Sequence, residues 1–575
     1  MGEVRNRLCK RMHGILEIAA ICGSMLLCAC GGMGEEENPA GGQEAGVFGE
    51  DGSQVGSLGG GTSEENSFGE DGSGKVKTVS GEKEKGTGED YMELFEEIEL
   101  TGSYKGLDHA NPLMTQSFGA DPYAMVYDGR VYFYMTGDVF EYDSRGNVAE
   151  NTYGKIDRIR VISTDDMANF TDHGAVRAAS GQGAAKWAHN SWAPAAAWKE
   201  IDGKPQFFLY FADAAGGIGV LQSDSPAGPF RDPLGHALIT RQTPNCGDVV
   251  WLFDPAVLVD EDGRAYLYFG GGVPEGEAAR PGTARAVELG EDMTSIIGEP
   301  VKLDAPYLFE DSGIHKAAGK YFYTYCTNWQ VDEAGTGEYG FHNGEIVSME
   351  SDNPLGPFTF KEVILKNPGT VFGLYGNNHH CVFSFQDRWY MAYHTRVLEK
   401  AMGVEHGYRS TQVDEFAMGE DGTVGIIGQT LKGREQLKYV DPYRENRAAC
   451  FAVMGGVECM PSDPGSKYYG CGNMALGSID TGDFIKIQGV DFGEERKLSF
   501  GVTAKNLSGE SGVVQIRLDS PDGEVLGYLP IGASEGEAFA EYKADMGTAG
   551  GVHDLFLIFQ GAGYEIETWQ FYPLQ

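Results

Sequence analysis

Three short motifs in the middle of the chain each place one carboxylate beside apolar or proline residues: Ala120-Asp121-Pro122, Phe253-Asp254-Pro255 and Leu308-Phe309-Glu310. Two such groups brought together can hydrolyse a glycosidic bond, because one protonates the leaving oxygen while the other deprotonates water. A third carboxylate keeps the acid protonated through like-charge repulsion. The apolar residues before Glu310 disfavour its ionisation. We therefore predict Glu310 as the general acid, Asp121 as the general base and Asp254 as the pKa modulator.

A repeated β-hairpin is predicted to position these motifs. A turn followed by a strand of alternating aromatic and small residues occurs five times, at Asp128-Gly129, Asp202-Gly203, Asp262-Gly263, Ala318-Gly319 and Gln386-Asp387. Asp-Gly between alternating apolar runs indicates a hairpin. A second short strand precedes each turn, and no amphipathic helix pattern lies between the hairpins. The repeat predicts an all-β fold, a five-bladed β-propeller with four strands per blade, in preference to a β-sandwich with coincidental hairpins.

Five side chains lie at about the same distance upstream of successive turns: Asp121, Trp192, Asp254, Glu310 and His379. Inner strands of a propeller converge on its axis, so residues at this position are predicted to line one central pocket. A single Asp-Pro pair is a weak signal, because Asp before Pro commonly starts a turn. The shared position in all five repeats is what indicates a site.

Several of these side chains keep a second interpretation. Trp192 can be either core packing or a platform for a sugar ring. His379 can be either a hydrogen-bonded core residue or a residue that organises water or a metal ion. Calcium prefers several oxygen ligands, so one imidazole does not establish it. We interpret His315, His380 and His394 as structural.

The ordered motifs resemble glycoside hydrolase family 43 over about residues 105 to 440. Further marks of that family stand at Asn111-Pro112-Leu113, at Asp311 to Lys316 after Glu310, at Asn378-His379-His380, at Tyr393-His394 and at Arg409-Ser410. The resemblance implies a five-bladed propeller that cleaves α-L-arabinofuranosides and β-D-xylosides with inversion. It implies the same three catalytic roles as above, an axial His379 that helps hold a central calcium or water cluster, and an Arg409 near the acid and the modulator that contacts substrate.

The extended motif after Glu310 and the run Asn377-Asn378-His379-His380 are most similar to arabinoxylan arabinofuranohydrolases. The predicted function is therefore release of L-arabinofuranose side chains from arabinoxylan or its oligosaccharides. A β-xylosidase or arabinan-cleaving enzyme on the same scaffold is the nearest alternative. A non-catalytic surface glycan-binding protein is a further one, although such a protein has no need of three carboxylates.

Residues 445–575 alternate like the strands of a jelly-roll β-sandwich, for example Phe484-Ile485-Lys486-Ile487 and Leu555 to Phe559. The segment resembles family 6 carbohydrate-binding modules but departs from them at several positions. On this resemblance Ala449 and Glu567 replace calcium ligands, Ser478 replaces a sugar-facing aromatic, Phe539 replaces a tryptophan, and Glu565 replaces a sugar-binding asparagine. We expect a structural or weakly binding domain in preference to a strong xylan binder.

The N-terminus carries basic residues, a short apolar run and then Leu27-Cys28-Ala29-Cys30, which indicates a secretory signal over residues 1–30. The ending resembles a bacterial lipobox with Cys30 as the lipidated residue, in preference to a plain signal peptide cut nearby. Residues 31–90 are rich in Gly, Glu, Asp and Ser and predict a disordered, self-repelling tether. The hydrolase domain, predicted over 100–440, would then be held at the bacterial cell surface.

The composition limits the partners and the redox chemistry. The chain has 85 acidic and 44 basic residues, a net charge of -41, which disfavours a nucleic-acid partner bound through its phosphates. A neutral polysaccharide is compatible with that charge. The six cysteines after the leader show no metal-type spacing, so we expect free thiols, although pairing among Cys450, Cys459 and Cys471 stays open.

Overall fold

The computed structural model describes residues 88–462, 474–534 and 538–574. Within these ranges the chain is almost entirely β, with four short helices: α1 (Gly88–Phe95), α2 (Glu333–Tyr339), α3 (Gly369–Phe372) and α4 (Val397–Ala401). The predicted signal, Cys30 and nearly all of the predicted tether lie outside the described residues; α1 begins at Gly88. No helix of the described part is long and apolar enough to span a membrane.

Eighteen strands form five antiparallel sheets in chain order. The first sheet contains β1 (Ala120–Tyr127), β2 (Arg130–Thr136), β3 (Arg158–Thr164) and β4 (Phe170–Arg177), and the second β5 (Trp192–Ile201), β6 (Lys204–Ala212) and β7 (Ile218–Ser223). The third contains β8 (Ala256–Val259), β9 (Ala265–Phe269), β10 (Ala284–Leu289) and β11 (Ile296–Leu303). The fourth contains β12 (Leu308–Ala317), β13 (Lys320–Thr327), β14 (Ile346–Ser351) and β15 (Thr359–Leu365), and the fifth β16 (His380–Phe385), β17 (Arg388–Thr395) and β18 (Ser410–Phe416).

The first strands of successive sheets contact one another in a closed ring: β1 with β5, β5 with β8, β8 with β12, β12 with β16, and β16 again with β1. This is the predicted five-bladed propeller, with one blade per hairpin. The prediction of four strands in every blade is wrong for the second and fifth blades, which have three. After β18 the chain carries Gly419, Gly422, Gly425 and Gly428 without forming a strand, in accordance with the low strand propensity of glycine.

The hairpin turns form as their sequences predict. Both turn residues have positive φ in four of the five hairpins, for example Asp128 at 47° and Gly129 at 70°. That conformation matches the twist of the flanking strands and is the one that Asp-Gly tolerates. The exception is the third hairpin, where five residues separate β8 from β9 and only Gly263 has positive φ.

The C-terminal region is a sandwich of two antiparallel sheets with the apolar core between them. One sheet has the order β22 (Glu458–Pro461), β23 (Met474–Gly477), β30 (Tyr564–Pro573), β25 (Arg496–Asn506) and β28 (Ala540–Ala549), and β19 (Asn446–Arg447) also pairs with β30. The other has the order β21 (Val453–Gly455), β24 (Phe484–Asp491), β29 (Val552–Gln560), β26 (Gly512–Leu518) and β27 (Val525–Ile531). The predicted sandwich is confirmed.

Backbone pairing joins the sandwich to the propeller. The short strand β20 (Cys450–Phe451) extends the first blade by pairing with β4. Asn169 of the propeller exchanges two hydrogen bonds with the backbone of Gln488, as donor from Nδ2 at 2.9 Å and as acceptor at Oδ1 at 2.8 Å. Cys450 and Cys459, near this junction, are free thiols.

Residues 91–101 lie across the outer face of the sheet that contains β24, before the chain enters the propeller; we call them the N-terminal strap. Phe95 of the strap is buried and packs on Tyr528 with ring centroids 5.7 Å apart. Gly482 has a φ of 92°, and a Cβ there would lie 2.4 Å from the Glu99 carbonyl oxygen. The sandwich is therefore shaped to receive a segment from the other end of the chain.

Candidate active site

A bulge at the start of the inner strands turns side chains toward the axis. In β1, Ala120 pairs with Thr136 but Tyr123 pairs with Tyr134, so one extra residue is inserted between them. β5 and β12 shift in the same way, after Trp192 and after Glu310. Asp121, Ala193 and Asp311 lie in these bulges and have positive φ, and Asp254, which precedes β8, has the same conformation. Such bulges re-aim side chains next to active sites.

This alignment corrects the predicted register by one residue. Asp121 and Asp254 are themselves the residues with positive φ, whereas Trp192 and Glu310 each precede the residue that has it. In the fifth blade β16 pairs with β17 without a register shift, and His379 immediately precedes it. Four blades therefore share this backbone conformation, and the fifth does not.

Asp121 is buried and lies among cationic and imidazole groups. Arg409 donates from Nη1 to Asp121 Oδ1 at 2.9 Å, and His394 Nδ1 lies 3.0 Å from the same oxygen. His394 Nδ1 also accepts from the Asp121 backbone N–H at 3.1 Å. Burial by itself raises the pKa of Asp121, but the charge of Arg409 and then the contact with His394 outweigh burial and hold that pKa well below the ordinary range. Asp121 is therefore an ionised carboxylate.

Arg409 is held by a second carboxylate. It donates to Asp138 from Nε at 3.0 Å and from Nη2 at 2.8 Å, which is a bidentate pair. Its guanidinium carbon lies 4.8 Å from the centroid of the Tyr153 ring. Burial lowers the pKa of Arg409, but the charges of Asp121 and Asp138 raise that pKa by more than burial lowers it. The guanidinium therefore stays charged.

Asp254 and Glu310 experience the opposite environment. Burial, and then the charge of Asp121, raise the pKa of Asp254 well above its ordinary value. Burial, and then the charges of Asp254, Asp121 and Asp311, raise the pKa of Glu310 well above its own. Asp254 Oδ2 accepts from the Asp311 backbone N–H at 2.8 Å, whereas Glu310 Oε1 is buried without a hydrogen-bond partner. Because only Asp254 gains a bond that favours its charged form, Glu310 is the group that keeps the proton.

His379 lies between the carboxylates. Its Nδ1 is 3.6 Å from Asp121 Oδ1 and 3.8 Å from Asp254 Oδ2, and its Nε2 is 3.1 Å from Asp311 Oδ1. Burial lowers the pKa of His379 to about 3, so the ring is neutral. The structure thus brings Asp121, Asp254, His379 and Arg409 into one network, and the charges of Asp121 and Asp254 act directly on Glu310.

Trp192 lies at the edge of this network. Its Nε1 donates to the Tyr153 carbonyl at 3.0 Å, and the two rings pack edge to face at 6.3 Å. Trp192 is partly exposed, in contrast to the carboxylates. It therefore supports Tyr153 and keeps part of its surface open to solvent.

A calcium site at His379 would need several oxygen ligands gathered around one point. Among the described residues, no group of three or more His, Cys, Asp or Glu side chains is arranged to hold a metal ion. Both ring nitrogens of His379 already face carboxylates. Calcium at His379 stays a prediction, and no chemical step is derived from it.

Sequence reasoning missed two central carboxylates, Asp138 and Asp311, and treated His394 as structural. Asp138 follows β2, whose end pairs with the start of β1, so an acidic residue there had to lie near Asp121. Asp311 is adjacent to Glu310, and two consecutive acids at a bulge were a usable signal. His394 contacts Asp121 because β17 ends beside the start of β16.

In the sandwich, the side chains at the positions where related modules are expected to bind sugar or calcium contact other residues of this chain. Lys505 Nζ lies 5.0 Å from the centroid of the Phe539 ring and 3.0 Å from Glu565 Oε2. Ser478 donates from Oγ to Glu458 at 3.0 Å. Ala449, at a predicted calcium-ligand position, is buried, and its carbonyl accepts from the Asp172 N–H of the propeller at 2.8 Å.

Comparison with known proteins assigns both regions. Residues 109–424 match the model of glycosyl hydrolases family 43, and residues 448–573 match that of carbohydrate binding module (family 6).

Two similar proteins are arabinoxylan arabinofuranohydrolases. The one from Paenibacillus polymyxa is 45% identical over 482 residues, which cover 81% of this chain and 74% of that protein. The one from Bacillus subtilis is 43% identical over 486 residues, which cover 81% of this chain and 93% of that protein. A crystal structure of a family 43 arabinoxylan arabinofuranohydrolase from Bacillus subtilis, in complex with cellotetraose, is 42% identical with a TM-score of 0.78 and covers 82% of this chain and 99% of its own.

Proposed function

Since the chain belongs to glycosyl hydrolases family 43, we propose that it releases L-arabinofuranose side chains from arabinoxylan or its oligosaccharides. One observation supports this proposal above the others. Two buried carboxyl groups at the propeller axis have pKa values displaced in opposite directions, Asp121 downward and Glu310 upward. Glycoside hydrolysis requires that division between an ionised base and a protonated acid.

In the proposed reaction Glu310 gives its proton to the glycosidic oxygen as the bond to the sugar breaks. Asp121 takes a proton from a water molecule that attacks the anomeric carbon from the opposite face. Asp254 raises the pKa of Glu310 through its charge. Because water attacks directly, the configuration at the anomeric carbon inverts. Enzymes of this kind place the acid and base carboxyl groups roughly 6.5–9.5 Å apart, and we expect that separation between Glu310 and Asp121.

Arg409 and the aromatic pair of Trp192 and Tyr153 are proposed to contact the sugar. Arg409 holds the base ionised from one side, and its position over Tyr153 keeps that ring close to the carboxylates. An aromatic ring with one exposed face can pack on the apolar face of a furanose. The names of the two relatives support arabinoxylan as the polymer.

The experiment compares three substrates with the purified chain: wheat arabinoxylan, 4-nitrophenyl α-L-arabinofuranoside and 4-nitrophenyl β-D-xyloside. We expect arabinose from the first two and little xylose from the third. Proton NMR of the first product should show the β-anomer of arabinose before mutarotation. Xylose as the main product would assign a β-xylosidase, and no release from any substrate would favour a glycan-binding protein.

We also propose that the chain is secreted and anchored to the membrane through lipid on Cys30, at the bacterial cell surface. The support is the sequence Leu27-Cys28-Ala29-Cys30 and the acidic, Gly-rich stretch that follows it. Expression in a bacterium should give a detergent-phase protein. Cys30→Ala should move the protein to the aqueous phase; an unchanged distribution would contradict the anchor.

A further inference from the structure

We propose that Asp311 is a positioning residue of the reaction, acting on the catalytic carboxylates through His379 and through its own backbone. The inference rests on the proposed function, because it concerns the same carboxylates. Asp311 follows Glu310 directly, has a φ of 68° and is fully buried. Its charge adds to the rise in the pKa of Glu310, but that effect does not account for the contacts of its side chain with two imidazoles.

The Asp311 carboxylate contacts two imidazoles. Its Oδ1 lies 3.1 Å from His379 Nε2, and its Oδ2 lies 2.5 Å from His380 Nδ1. Its backbone N–H donates to Asp254 Oδ2 at 2.8 Å. One residue therefore holds the modulator carboxylate with its main chain and the central histidine with its side chain.

These contacts decide which nitrogen of His379 faces the catalytic groups. Burial and the charge of Asp121 raise the pKa of Asp311, while the His380 backbone N–H, which donates to Asp311 Oδ1 at 3.2 Å, favours its charged form. In the proposed arrangement Asp311 is ionised, so that it accepts hydrogen bonds only, and the neutral His379 ring carries its proton on Nε2, the ring nitrogen nearer to a carboxylate. The lone pair of Nδ1 then points to the space between Asp121 and Asp254, 3.6 Å and 3.8 Å away. A water molecule in that space can donate to Nδ1 while Asp121 removes its other proton. Asp311 thereby orients the acceptor that orients the water.

The second branch of the Asp311 network leads away from the site. His380 Nε2 lies 2.7 Å from Thr324 Oγ1, inside the fourth blade. This branch supports the fold and contacts neither Asp121 nor Asp254. The two branches give a matched pair of variants: Asp311→Asn disturbs both, and Thr324→Val disturbs the structural branch alone.

In Asp311→Asn, the amide oxygen can serve only one imidazole, and its NH₂ group favours the other tautomer of the second. We expect kcat to fall about 10- to 100-fold, the usual effect of removing the partner that orients a functional imidazole. KM should stay within about twofold, because Asp311 is buried behind the site. Thr324→Val should lower thermal stability and leave kcat near that of the wild type.

A double-mutant cycle in kcat separates positioning through His379 from a general structural role. If Asp311 acts through His379, Asp311→Asn should add little to the loss already caused by His379→Asn. If the loss of kcat in the double variant equals the product of the two single losses, the proposal is overturned. A wild-type kcat in Asp311→Asn would also overturn it. The same kcat loss in Thr324→Val would also overturn it.

The cycle uses whichever of the three substrates the wild type cleaves. A wild type that releases no sugar from any of them sinks the proposed function. A wild type that is active alongside a fully active Asp311→Asn sinks only the role of Asp311.

Discussion

The propeller axis can be compared with the modified sugar site of the sandwich, the site formed by Lys505, Phe539 and Glu565. Both contain charged side chains near strand ends, but these side chains are paired differently. At the axis, Glu310 is left with a buried oxygen that has no partner, and Asp121 is held ionised by Arg409. In the sandwich, Lys505 pairs with Glu565 and covers the Phe539 ring. At the axis an oxygen of Glu310 therefore remains without a hydrogen-bond partner, whereas in the sandwich Lys505 and Glu565 pair with each other.

The comparison agrees with the expectation that the sandwich has a structural or weakly binding role. A buried polar atom without a protein partner is costly, and it is free to bond to a substrate or a water molecule. A partly exposed ion pair such as that of Lys505 with Glu565 contributes about 0–1 kcal/mol, and the paired groups are less available to a ligand. Two segments join the sandwich to the rest of the chain: the N-terminal strap packs on its outer face, and β20 pairs with β4 of the first blade.

Loss of the general acid should have the largest effect. Glu310→Gln should reduce arabinose release from arabinoxylan about 10²- to 10⁴-fold, the usual contribution of acid–base catalysis. The loss should be smaller with 4-nitrophenyl arabinofuranoside, since nitrophenolate leaves without being protonated. The measurement is kcat/KM on both substrates, with thermal unfolding as the control for folding. Equal losses on the two substrates would remove Glu310 from the acid role.

Removal of Arg409 should shift the pH dependence of the reaction. Without the guanidinium, the pKa of Asp121 rises, so the base ionises only at higher pH and the acid limb of kcat/KM moves upward. Arg409→Met also leaves Asp138 buried without its cation, which costs about 3–5 kcal/mol of folding stability. The pH profile and urea unfolding measure the two effects.

Arg409→Lys is the matched control for that variant, because it keeps the charge but loses the bidentate contact with Asp138. It should shift the acid limb less than Arg409→Met does. An acid limb that stays in place in both variants would show that Arg409 does not set the ionisation of Asp121.

The supporting task of the sandwich can be tested at the N-terminal strap. Phe95→Ala should lower the free energy of unfolding by about 3 kcal/mol, because it empties a buried contact with Tyr528. Activity at 25 °C should be unchanged. Met92→Ala, at a half-exposed position of the same helix, should change stability by only about 0.5 kcal/mol. Equal effects of the two variants would mean that the strap does not stabilise the sandwich.

The smallest effect is expected at the modified sugar site. In a Glu310→Gln background, Lys505→Ala should change the affinity for xylohexaose by less than about fivefold, the equivalent of one surface ion pair. Calorimetry measures the affinity, and Lys543→Ala, on the same sheet, is the control. A large loss confined to Lys505→Ala would show that this site binds sugar after all.

The propeller could be predicted from the sequence because its signals are local. Each Asp-Gly turn and each alternating strand depends on residues within a short window, and the same window recurs five times. The strand count of a blade is less local. It depends on whether the glycine-rich stretch after β18 finds a partner, and there the prediction of four strands is wrong.

The chemistry of the site was only partly visible. Asp121, Asp254 and Glu310 stand out by residue type and by their place in the repeat. Asp311 is adjacent to Glu310, and Asp138 follows the strand that pairs with the start of β1. Their roles depend on contacts that only the tertiary structure shows, with Arg409 for Asp138 and with His379 for Asp311. Arg409 does not occupy the repeated position that Asp121 and Asp254 share. It reaches Asp121 only because the ring of blades closes, so that the fifth blade lies against the first.

Residue order by itself determined the five hairpins, the three acidic motifs and the sandwich that follows them. Tertiary structure alone decided the protonation states, because a pKa depends on burial and on charges contributed by distant segments. Asp121 and Glu310 differ little as isolated side chains. One is ionised because the Arg409 guanidinium donates directly to it, and the other is protonated because burial and three neighbouring carboxylates outweigh the weaker effect of Arg409 on it.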